Sequence, residues 1–175
     1  MISLIHKKGV NTDPKNFRPV ALIHCVSKII TKIVRERANA RYHAVVSKFQ
    51  FGFKQGVGTI DPIYVLRQIL KNTKIPIHAL FLDLRGAFDK LPRKLLMKII
   101  EIMLGSKKLA ELLTEIHTNT TAKLKDGKME INIESGVRQG SDEGPICFNL
   151  FFDYVLQVCE REISEKVPDF GVENI

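Results

Sequence analysis

The 175-residue chain holds only three cysteines, Cys25, Cys147 and Cys159. They are odd in number and form no Cys-x-x-Cys pair. That excludes a disulfide framework and points to buried thiols in a reducing, intracellular compartment. The five histidines do not fall at ligand spacing from one another or from the cysteines, which argues against zinc. No apolar run approaches the ~20 residues of a membrane span. The start, Met1 to Lys8, lacks the basic-then-apolar order of a signal peptide, so no membrane partner is expected. The glycine-rich stretch with Gly52, Gly56 and Gly58 lacks the Lys-Ser/Thr of a P-loop, so a Walker-type phosphate site is excluded. No internal repeat, linker or low-complexity tract is present.

What is there is ordinary in amount but uneven in placement. Hydrophobic residues make up 45% and charged residues 26%, as in a soluble globular protein of one large domain or two small lobes. Residues 1–50 carry ten lysines and arginines against two acids, which equals the whole net charge of +8. The remaining residues carry seventeen of each sign. A basic lobe suits a polyphosphate partner, because each neutralised phosphate releases counterions. The plainer alternative is a solvated basic helix that serves solubility.

The pattern predicts strands over 2–5 and 18–23, joined by a polar loop. Pro19 stands near the start of the second, where a ladder donor is least missed. Lys7, Lys8 and Arg18 sit on this flap, and Arg18 is suited to grip an oxygen pair bidentately. Residues 26–47 turn helical, with Ile29, Ile30, Ile33 and Val34 as the expected apolar stripe. Further helices are expected from Thr59 to Asn72, from Pro92 to a stop at Gly105, from a Ser106 cap through Ile116, and from Ile146 to Ile163. Residues 120–125 and 129–134 flank Asp126-Gly127, a strong hairpin signal.

The stretch at 78–89, His-Ala-Leu-Phe-Leu-Asp-Leu-Arg-Gly-Ala-Phe-Asp, stands apart. A short apolar run, Ala79 to Leu82, precedes a glycine-containing turn and is expected to form a buried strand. Such a strand delivers Asp83 to the sheet edge, where ligands bind. Asp83 is then either a metal ligand or the cap of the turn that follows.

Four segments stand in one order: Lys-Lys-Gly…Asn-Phe-Arg-Pro at 7–19, Gln-Phe-Gly-Phe at 50–53, Phe-Leu-Asp-Leu-Arg-Gly-Ala-Phe-Asp at 81–89 and Gly-Val-Arg-Gln-Gly…Pro at 136–145. Together they resemble the reverse transcriptases of non-LTR (LINE-type) retrotransposons, and more distantly group II intron maturases. The resemblance covers nearly the whole chain. It implies an α+β right-hand polymerase, an antiparallel sheet packed on helices, with fingers over 1–76 and part of the palm over 77–175. The implied activity is RNA-directed DNA polymerisation, with an RNA template, a DNA primer, deoxynucleoside triphosphates and two Mg²⁺ ions as partners. Asp83 matches the first catalytic aspartate, with the Leu84 carbonyl assisting one ion. Phe88 matches the aromatic gate that favours deoxynucleotides; the alternative is a core aromatic beside the strand. Lys7 or Lys8 and Arg18 match the cations that hold the triphosphate. Gln139 and Gly140 match the loop against the incoming nucleotide and template base.

Those residue types suit the chemistry. Two Mg²⁺ ions ~3.5–4 Å apart clamp the attacking and leaving oxygens, and hard Mg²⁺ wants carboxylate and phosphate oxygens. Cations on a flap stabilise charge on the triphosphate. Asp89 matches no metal ligand and is expected to be a helix-start or salt-bridge acid. The departures are as telling. The family's Tyr/Phe-Ala-Asp-Asp box is expected after the last helix, yet no Asp-Asp pair occurs in the sequence. The thumb and the segment before the fingers have no counterpart, Gly144 replaces a serine before Pro145, and Asp142-Glu143 add acid to that loop. This piece alone is expected not to polymerise. The rival expectations are a non-catalytic RNA-binding module and an inert remnant of a retroelement.

Overall fold

A computed structural model describes residues 1–123 and 130–166 of the chain. The order is β1 (Ile2–His6), a 3-10 turn at Pro14–Asn16, β2 (Phe17–Ala21), α1 (Cys25–Val45), α2 (Ile60–Asn72), α3 (Arg93–Leu104), α4 (Lys107–His117), β3 (Thr121–Lys123), β4 (Glu130–Asn132) and α5 (Gly144–Lys166). Each boundary has a local cause. Asp13 caps the 3-10 turn by accepting from the Lys15 amide. Ser106 caps α4 by accepting from the Leu109 amide, and Gly105 closes α3 at φ 57, a left-handed position that only glycine takes freely.

The core is helix on helix. Leu96, Ile99 and Ile100 of α3, Leu113 of α4 and Leu150 of α5 are all at most 2% exposed, and α1 closes over them with Val34, Ala38 and Tyr42. Two separate antiparallel pairs stand outside this core: β1 with β2, Ile5 opposite Arg18, and β3 with β4, Ala122 opposite Ile131. The expected sheet packed on helices is thus corrected to helices packed on helices, flanked by two hairpins. The Asp126-Gly127 turn lies outside the described residues, but the pairing of its flanking strands is as expected.

Two further expectations are corrected. Residues 79–82 form no strand; the chain there has no regular secondary structure, with Leu80 and Phe81 each 82% exposed. A strand needs a ladder partner, and the four strands that form pair only with each other. The expected stripe of α1 is also rotated. Ile29, Ile30 and Ile33 are about half exposed or more, whereas Thr31, Val34, Ala38 and Tyr42 line the buried side. Among the described residues, no helix is long and apolar enough to cross a membrane.

Candidate active site

The 86–91 turn and the 135–140 loop are laced together. The Val137 amide donates to the Phe88 carbonyl (2.8 Å), and the Gly136 amide to the Leu91 carbonyl (2.8 Å). The Ser135 hydroxyl donates to the Asp89 carbonyl (3.1 Å). Gly136 is required here: at φ +78, a Cβ would stand 2.6 Å from the carbonyl oxygens of both Phe88 and Asp89. The Gln139 side-chain Nε2 lies 3.0 Å from both carboxylate oxygens of Asp89. From the other side, the Ala21 amide at the end of β2 donates to the Gln139 carbonyl (2.9 Å). Gly140, at φ +103, lets the chain pass β2: a Cβ would meet the Ala21 oxygen at 3.2 Å.

The flap, the turn and the loop therefore meet at Gln139. A cleft of about 620 Å³ opens beside this junction, bordered by Asp89, Gln139 and Arg138 and walled by Ile2, Pro19 and Val137. Of the residues expected to bind nucleotide, Phe88, Gln139 and Gly140 are brought together here, with β2, the strand that carries Arg18. Lys7, Lys8 and Arg18 are not brought to the junction: they stand at the loop end of the hairpin, where the Lys7 amide donates to the Asn16 carbonyl, while Ala21, which meets Gln139, pairs with Ile2 at the other end. All three cations are exposed.

Asp83 and Leu84 lie on the exposed segment without regular structure before the turn. Among the described residues Asp83 makes no hydrogen bond or ion pair, and the expected sheet edge beneath it is not formed. Nor do the described residues contain a group of three His, Cys, Asp or Glu side chains able to hold a metal. Asp89, the other acid of the motif, has both oxygens turned to Gln139. One carboxylate is only part of the ligand set that a two-ion Mg²⁺ site requires.

Phe88 is half-buried, its ring stacked on Phe148 at 5.0 Å and edge-on to Phe53 at 5.9 Å. Phe53 belongs to the 50–53 motif, whose Gly52 carbonyl accepts from Asn149 of α5 (2.8 Å). The same Asn149 amide donates to the Tyr42 hydroxyl. One α5 face thus contacts the Phe88 ring, the 50–53 loop and α1.

Sequence reasoning missed a buried charge cluster behind the junction. The Glu143 carboxylate, 2% exposed, faces Nε2 of His117 at 3.7 Å and Nη2 of Arg138 at 3.9 Å. Arg93 donates to the carbonyls of Gly136, His117 and Ile133 and to the Thr120 hydroxyl, at 2.6–2.9 Å. It thereby ties α4 to the base of the β3–β4 hairpin. Burial drives the His117 pKa below its ordinary 6.5; its bond to Leu113 and the Glu143 charge oppose this, while Arg138 and Arg93 add to it. Burial and the nearby Arg138 also lower Arg93. Glu143 was legible in the sequence only as extra acid, because its partners Arg138 and His117 lie 5 and 26 residues away.

With this geometry in view, the comparisons decide the family. Residues 5–170 match the model of the family described as reverse transcriptase (RNA-dependent DNA polymerase). The chain belongs to the reverse transcriptase family. It is 30% identical over 159 residues to a probable RNA-directed DNA polymerase from transposon X-element of Drosophila melanogaster, covering 86% of this chain and 18% of the relative. It is 28% identical to the RNA-directed DNA polymerase from mobile element jockey of the same fly, covering 86% and 17%. It is 24% identical to a Pol polyprotein from type-1 retrotransposable element R2 of Nasonia vitripennis, covering 88% and 15%. The chain spans less than a fifth of the length of each of these relatives. The resemblance to retrotransposon polymerases read from the sequence is borne out.

Proposed function

We propose that the chain forms the fingers (1–76) and part of the palm (77–175) of a right-hand RNA-directed DNA polymerase that extends a DNA primer on an RNA template. The observation that carries this reading is the junction at Gln139, where β2, the Phe88 turn and the 135–140 loop converge beside a cleft. In this reading Gln139 and Gly140 lie against the base pair of a deoxynucleoside triphosphate, Phe88 borders its sugar, and Lys7, Lys8 and Arg18, at the far end of the β1–β2 hairpin from the junction, hold its charge. Asp83, with the Leu84 carbonyl, supplies one ligand of a magnesium site. Mg²⁺ ions would bring Lewis-acid activation of the primer hydroxyl. Their other carboxylates have to come from outside the described residues. Family membership supports this reading, as does the +8 excess concentrated in the first fifty residues.

The test has two arms. With RNA template, DNA primer, deoxynucleotides and Mg²⁺, the 175-residue chain yields no extension; product that disappears in Asp83→Ala would show a complete active site and contradict the single-carboxylate reading. The chain binds template–primer duplex with an affinity that falls steeply with salt, as several phosphate contacts require. No binding at low salt removes the polymerase reading and leaves an inert remnant. Salt-sensitive RNA binding that ignores Gln139→Ala and Arg18→Ala, and in which neither variant affects nucleotide binding, favours a non-catalytic RNA-binding module.

A further inference from the structure

We propose that Asp89 is the positioning residue for Gln139, and that it couples the Gln139 contact to the Phe88 gate. The inference rests on the nucleotide-site reading above and names what organises that site.

Gln139 is the only side chain that donates to the Asp89 carboxylate among the described residues, and its Nε2 is equidistant, at 3.0 Å, from both oxygens. A charged acceptor makes these bonds stronger than neutral ones. A carboxylate accepts and does not donate, so it fixes which end of the amide faces it. The Gln139 Oε1 is then the outward end, an acceptor without a partner among the described residues. It is suited to a hydroxyl or amino donor on a nucleotide. The backbone that carries this carboxylate is anchored: the Asp89 amide donates to the Gly86 carbonyl at 3.0 Å, and the Asp89 main-chain carbonyl accepts from Ser135. The preceding residue, Phe88, has its carbonyl bonded to the Val137 amide and its ring stacked on Phe148. One residue thus links an amide against the base pair to an aromatic against the sugar. A shift at Asp89 moves both, so removal of its carboxylate changes sugar discrimination without any change at Phe88.

The test is a double-mutant cycle on the full chain, with template–primer present, reading equilibrium binding of dATP and of ATP, each with Mg²⁺. Gln139→Ala and Asp89→Ala are each expected to weaken dATP binding about fivefold, the scale of one ordinary solvent-exposed hydrogen bond. The double variant is expected to bind no more weakly than either single one, the signature of a shared interaction. Asp89→Asn keeps one acceptor oxygen, so it restores part of the loss; being isosteric, it also carries the test should Asp89→Ala fail to fold. The preference for dATP over ATP is expected to fall in both Asp89 variants, which a general loss of stability would not produce. Additive effects, or Asp89 variants that bind as the unaltered chain does while Gln139→Ala is weakened, overturn the positioning role and leave the nucleotide site standing. An unchanged dATP-to-ATP ratio overturns the link to Phe88. No nucleotide binding by the unaltered chain, or none that Gln139→Ala affects, overturns the nucleotide site itself and this role with it.

Discussion

Helices α2 and α3 are nearly equal in length, thirteen and twelve residues, and both carry apolar residues at helical spacing. Yet α3 buries five side chains, among them Leu96 and Ile100 at 0% exposure, while α2 buries none and leaves Ile63, Leu66 and Leu70 39–56% exposed. The same contrast divides the molecule. The inner side of α1 with α3, α4 and α5 is packed, whereas α2, the outer side of α1 and the 75–84 segment present apolar surface to solvent. Amphipathicity tells that a face is apolar; only a partner makes it a core.

The first way to break this contrast is truncation on each side of it. Leu96→Ala or Leu150→Ala removes a fully buried side chain and is expected to cost about 2–5 kcal/mol of stability in urea unfolding. An equal loss from Leu70→Ala on α2 would erase the distinction. Next in size is Arg93→Lys. A lysine cannot reproduce the guanidinium's four bonds to Gly136, His117, Ile133 and Thr120. A loss of about 1.5–3 kcal/mol is expected, with faster amide exchange at Ile133, which donates to the Thr120 carbonyl.

A smaller effect comes from acid. The His117 pKa is lowered in the folded protein, so the unfolded chain binds its proton first as pH falls. The contribution of neutral His117 is present above about 6.5 and is lost below it, down to the lowered native value. The expected slope is up to about 1.4 kcal/mol per pH unit. His117→Gln should flatten that limb while leaving carboxylate titration further into acid. The smallest effect is Leu70→Ala, within ~0.5 kcal/mol.

Much of this was legible in the sequence. Helix ends followed Ser106 and Gly105, and both hairpins followed their strand patterns, because caps and turns are local. Phe88, Gln139 and Gly140, singled out through the motifs at 81–89 and 136–145, stand at one junction in the structure. What failed was what depends on a distant partner. The apolar run at 79–82 had the composition of a strand but no neighbour to pair with. In α1, Thr31 and Tyr42 went inward, because the Thr31 hydroxyl donates to the Lys28 carbonyl and the Tyr42 hydroxyl accepts from Asn149. Ile29 and Ile33, though more apolar, face away. The pairing of Asp89 with Gln139, fifty residues apart, carried no signal beyond the presence of an acid in the motif.

The most direct measurement is amide chemical-shift mapping of the labelled chain during titration with dATP and Mg²⁺ in the presence of template–primer. Nucleotide-dependent shifts are predicted at Lys7, Lys8, Arg18, Asp83, Phe88, Gln139 and Gly140. Shifts confined to the His117–Glu143 cluster or to α2, with the Gln139 junction silent, would contradict the account.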